Sequence, residues 1–94
     1  MDDTQALLAE RATTHGSYAN TARTIQAIKD AMRSGPNWGS LTDIQKESLE
    51  MVANKIGRCL SGNPNVADHW DDIAGYAKLV SNDLTSIPDV RKAA

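Results

Sequence analysis

Residues 47–84 read ESLEMVANKIGRCLSGNPNVADHWDDIAGYAKLVSNDL, and this stretch decides the fold. Leu49, Val52, Ile56, Cys59 and Leu60 recur at three- and four-residue spacing, which places them on one face of a helix. Trp70, Ile73, Ala74, Ala77, Val80 and Leu84 repeat the pattern further along. Gly62, Asn63, Pro64 and Asn65 break the chain between the two runs. The polar remainder is segregated, with Lys55 and Arg58 on the first arm and Asp68, Asp71 and Asp72 on the second. The expected structure is an antiparallel helical hairpin carrying opposite charges near its closed end.

Working outward, Asp2 to Ala12 reads as a first helix, with Asp2 and Asp3 at its positive end and Ala6, Leu7 and Ala9 on an apolar side. It is expected to stop within TTHGS, where Gly16 suits a left-handed C-terminal position. A second helix spans Tyr18 to Ser34, capped by Ser17, with Ala22, Ile25, Ile28 and Met32 as its stripe. Gly35 and Pro36 end it, and GPNWGS follows as a turn-rich connector. Trp38 in that connector reads as a lid folded onto the core, or else as a stacking platform for a base. Thr42 and Gln45 form a capping box that starts the third helix, which runs to Leu60 or Ser61. The fourth starts between Asn65 and Asp68 and ends near Leu84. The fold class is all-α: a small four-helix, bundle-like domain over residues 1–86, centred on the hairpin. Residues 87–94 form a polar tail in which Pro88 stops the helix, so the tail frays or docks on a neighbouring subunit.

Ninety-four residues with no Phe, two Trp and two Tyr allow only a thin core of aliphatic and alanine contacts. Domains this small commonly complete their burial through a partner subunit, so a homo-oligomer is expected. A net charge of −2 and a pI near 5.5 weigh against general nucleic-acid binding, which needs many uncompensated cations. Cys59 is the single cysteine and lies in the apolar stripe, as a small core residue of a reducing compartment would. No apolar run approaches the roughly 20 residues of a membrane span, and the acidic MDDTQALLAE is unlike a secretory signal. The expected location is the cytoplasm of a bacterial host, away from membranes.

Two constellations bear on chemistry. Glu47 and Glu50 form an ExxE and Asp68 and Asp71 a DxxD, the kind of paired-helix carboxylates that hold Mg²⁺. At ~1.5 Å per residue, however, Glu50 lies roughly 12 Å further from the turn than Asp68, so the pairs do not meet within a simple hairpin. The same arithmetic sets Lys55 and Arg58 level with Asp68 and Asp72. These four either form a salt-bridged clasp or make a site for a phosphorylated small molecule. In the second case Arg58 forks onto phosphate oxygens, Lys55 adds a point charge, and Asp68 and Asp72 orient them or hold Mg²⁺. Tyr76, one turn beyond Asp72, would line the same wall, and Gly75 would let another helix approach. His15, beside Arg11, reads either as a solvent-facing histidine at a helix end or as a further hydrogen-bond donor to the ligand. No catalytic residue is assigned.

The segments ERATTHGSYANTA (10–22), MVANKIGRCLSG (51–62) and DHWDDIAGYAKL (68–79) together resemble a family of small phage and prophage proteins of unknown function, over about Leu7 to Leu84. That family is distantly similar to the all-α nucleoside triphosphate pyrophosphohydrolases of the MazG and dimeric dUTPase group. Those enzymes use carboxylates from a helical pair to hold Mg²⁺ on a triphosphate, and residues 71–80 resemble their second acidic helix. Where their first helix carries acids, this chain has Lys55 and Arg58, a replacement that fits phosphate binding better than metal-assisted hydrolysis. Three expectations follow. The first is a phage-type protein that captures a nucleotide or cyclic nucleotide without turnover, as a sponge for host immune signals would. The second is a divergent Mg²⁺-dependent pyrophosphohydrolase using Asp68, Asp72 and Glu50. The third is a protein–protein inhibitor or adaptor whose charges are a clasp.

Overall fold

The ends of the helices are set by short-range chemistry that the chain spells out. The computed structural model describes residues 3–15 and 17–86, with the backbone alone for 11–15. Helix α1 covers Asp3–His15, α2 Tyr18–Arg33, α3 Asp43–Ser61 and α4 Ala67–Thr85, with a short 3-10 helix at Trp38–Ser40. No strand occurs among the described residues, and the fold is all-α. None of these helices is long and apolar enough to cross a membrane. The tail from residue 87, Pro88 included, lies outside the described residues, as does Gly16.

The Asn20 amide donates to Ser17 Oγ (3.2 Å) and starts α2. At α3 the box is reciprocal: the Gln45 amide donates to Thr42 Oγ1 (3.1 Å) and the Thr42 amide to Gln45 Oε1 (2.9 Å). Such a cap contributes about 1 kcal/mol by satisfying two otherwise orphaned donors. Helix α1 runs three residues past Ala12, because Thr13 and Thr14 are weak helix formers but not breakers. The hairpin loop is tied twice. The Asn65 amide donates to Asn63 Oδ1 (2.9 Å), and Trp70 Nε1 donates to the Pro64 carbonyl (2.7 Å).

Helix α3 is the centre of the molecule, with α2 against one side and α4 against another. The α2–α3 seam is made by small residues one turn apart. Ala53 and Gly57 are buried, and Ser61 Oγ donates to Thr24 Oγ1 at 3.2 Å. The ridge lets Ile25 of α2 lie directly on the Gly57 backbone. At the other end Arg33 pairs with Glu50 at 2.8 Å. Helix α1 touches α2 and α3 only lightly, and every described side chain from Asp3 to Glu10 is exposed, Leu7 and Leu8 included.

The periodic apolar residues are only partly covered within the single chain. Ala53 is the one fully buried apolar residue described, while Thr21, Ser48 and His69 are the buried polar ones. Val52, Cys59, Ile73 and Val80 are half-buried; Leu49, Ile56, Leu60, Trp70 and Ala77 are exposed. The fully buried positions are polar or small, and the apolar stripes are only partly covered. A Cβ at Gly75 would meet nothing within 4 Å, so among the described residues no helix packs onto it.

Candidate functional site

Helices α3 and α4 bring the expected charges to one level. Lys55 Nζ and Asp72 Oδ2 form an ion pair at 2.8 Å, with the lysine the more enclosed partner. Arg58, one turn along α3, is half-buried and forms no ion pair within 4 Å among the described residues. Asp68 and Asp72 lie one turn apart and exposed at the start of α4, and Tyr76 is half-buried a turn further on. The hairpin arithmetic therefore places Lys55 and Asp72 correctly. The side chains of Arg11 and His15 lie outside the described residues.

His69 joins this group. Its side chain is only 3 % exposed, and Lys55, Arg58, Asp68 and Asp72 all lie near enough to act on its charge. Burial lowers its pKa first, and the nearby Lys55 and Arg58 cations lower it further against the opposing pull of Asp72 and Asp68. The imidazole is thus held neutral beside two cations. A signal for it was present: His69, Ile73, Tyr76 and Val80 share one face by 4-3-4 spacing, which turns His69 inward. The Asp72 carboxyl is also shifted down, chiefly by its bond to Lys55.

These shifts set a pH response. Unfolding returns His69 to about the ordinary 6.5, so the stability from its neutral form is present above 6.5 and lost as pH falls through the lower folded value. Asp72 acts in the same direction in a more acidic window, below its ordinary 3.8. The urea midpoint should therefore drop between pH 7.5 and pH 5, and His69→Gln should flatten that drop. Equal slopes in the two proteins would remove His69 as the cause.

The donor set does not suit Mg²⁺. Asp72 is held by an ammonium, and no three of His, Cys, Asp and Glu converge among the described residues. Glu50 is held by Arg33 of α2, so it does not join Asp68 and Asp72. The arrangement is instead an enclosed lysine tied to a carboxylate, a buried histidine, and a half-buried arginine with no ion pair among the described residues. No protein-family model, curated protein or solved structure matches the chain. The likeness to small phage proteins and to the MazG group therefore rests on the quoted motifs alone.

Proposed function

We propose that this protein binds a nucleotide or cyclic nucleotide without turning it over, with Arg58 as its phosphate anchor. The observation that carries this reading is the asymmetry between the two cations. Asp72 satisfies Lys55, whereas Arg58, half-buried on the same helix side, has no carboxylate within ion-pair distance among the described residues. A guanidinium in that position offers planar paired donors to phosphate oxygens, and partial burial strengthens each bond. Tyr76 supplies a flat wall on the neighbouring turn. A protein that holds such a ligand without hydrolysing it would act as a sponge for a signalling nucleotide of the host. The Lys55–Asp72 pair favours a second reading, an adaptor in which the charges only tie the hairpin.

Thermal melting against nucleoside triphosphates, dinucleotides and cyclic nucleotides, each with and without Mg²⁺, tests the proposal. A ligand at 100 times its Kd stabilises by about 2.7 kcal/mol, which in a domain this small raises Tm by about 10 °C or more. A shift with one ligand class, independent of Mg²⁺ and with the ligand recovered intact, is the expected result. A Mg²⁺-dependent shift with pyrophosphate released would replace binding by hydrolysis. Flat melting curves across the panel would leave only the clasp.

A further inference from the structure

We infer that the apolar face of the α3–α4 hairpin is the seam of a homodimer, in which two hairpins close into one four-helix bundle. On α3, Gln45, Leu49, Val52, Ile56 and Cys59 follow an unbroken 4-3-4-3 spacing. On α4, Trp70, Ile73, Ala77, Val80 and Leu84 follow 3-4-3-4. Sustained over a whole helix, that repeat is the pattern by which helices pack side by side in bundles, with each knob seated among four residues of a facing helix. Among the described residues this face is only partly covered: Val52, Cys59, Ile73, Val80 and Leu84 are half-buried and the rest of the apolar positions are exposed. Leu49 is 45 % exposed, Ile56 37 %, and Trp70 56 %. A groove of ≈ 470 Å³ runs between the two stripes, lined by Leu49, Val52, Ile73, Ala77 and Val80, with Leu41 at one end.

The surface area says how much covering is needed. A compact monomer of 10.1 kDa exposes about 5,300 Å², whereas this chain exposes 6618 Å²; the excess of about 1,300 Å² is shared between this face and the lightly docked α1. A standard interface removes roughly 800 Å² from each partner, so one dimer contact of ordinary size lies within that excess.

The chemistry of the stripe selects a second copy as the occupant. None of the ten repeat positions carries a charge, so the face offers an unlike partner no sign to recognise. It does offer an antiparallel pair of equal length, and a two-fold axis through the groove sets each helix against an equally neutral one. The charged site lies to one side of the stripe: at about 3.6 residues per turn Arg58 is roughly 140° and Asp72 roughly 110° around its helix from the stripe's centre, so dimerisation leaves Arg58 accessible, with Tyr76 nearer the seam.

The test is the mass of the full chain in solution, by sedimentation equilibrium, for wild type and for Leu49→Glu and Ala77→Glu. Both positions are solvated in the single chain, so a glutamate there is compatible with the fold and incompatible with the buried seam. Wild type should have twice the 10.1 kDa chain mass. Its Tm should fall on dilution, as melting coupled to dissociation requires. Each variant should have the mass of one chain while keeping helical circular dichroism and any nucleotide-induced shift. A wild-type monomer with a concentration-independent Tm would overturn the inference and leave the groove to another occupant. So would an assembly that neither substitution weakens. Should both variants unfold, the dilution series on wild type decides alone. Loss of the dimer and loss of nucleotide binding are separate readouts, so either proposal can fail without the other.

Discussion

Gly57→Leu should cost the protein most of its cooperative melting transition, a larger loss than any surface substitution would bring. Gly57 is buried where α2 crosses α3, and a Cβ at this position would overlap Ile25 Cγ1. The overlapped atom is near the root of a β-branched side chain, whose χ1 has essentially one accessible rotamer in a helix. The clash therefore cannot be relieved by swinging a flexible tip, and the helices must separate. Overpacking of this kind costs about 1–3 kcal/mol for small additions. Even alanine should lose more than the about 1 kcal/mol that it gains in helix propensity. For leucine the cost should reach about 3 kcal/mol or more, which lowers Tm by over 10 °C in a domain this small. The measurement is thermal and urea melting of Gly57→Ala and Gly57→Leu. Adding Ile25→Ala to Gly57→Ala should recover part of the loss, because it removes the overlapped atom; double-mutant coupling near zero would show that the helices do not meet there. A Gly57→Leu protein melting within about 2 °C of wild type would sink the whole account of the seam.

That glycine shows where the sequence is legible and where it is not. Helix starts are local: Ser17 and Thr42 with Gln45 can be read directly from the chain because each cap is closed within three residues. Hairpin register is nearly as local, since the turn at Asn63 and Pro64 sets which residues of α3 and α4 are level, and Lys55 duly meets Asp72. Which side of a helix faces which neighbour is a longer-range matter. Periodicity identifies the stripe of Leu49, Val52 and Ile56 as apolar, but it cannot say whether the covering element belongs to the same chain. Nor does it show the α2 contact at Gly57, which depends on Ile25 of another helix, or that His69 is buried. A glycine inside a helical run, at about 1 kcal/mol worse than alanine, signals a close approach. Gly57 answers that signal and Gly75 does not, a distinction that only the packed structure makes.

The second large effect is expected at Arg58. If the four charges were purely a clasp, Arg58→Ala would strand a carboxylate and the fold would weaken. The ion pair in place is Lys55–Asp72, and Arg58 forms none among the described residues, so its removal should leave the melting temperature of the free protein within about 2 °C. Its effect should appear only with ligand. A charge-assisted hydrogen bond contributes about 1.5–3 kcal/mol, so losing the guanidinium should weaken nucleotide binding by roughly 10- to 150-fold and abolish most of the ligand-induced rise in Tm. Arg58→Lys should recover less than half of the loss, because an ammonium keeps the charge but not the paired planar donors. Lys55→Ala is the contrasting variant: it releases Asp72 beside the buried His69 and should lower stability with or without ligand. Opposite behaviour of the two cations, with Arg58 silent until ligand is added and Lys55 felt throughout, is the signature of a binding site built on a clasp. If Arg58→Ala destabilises the free protein as much as Lys55→Ala does, the two cations are one structural unit and the anion site is not there.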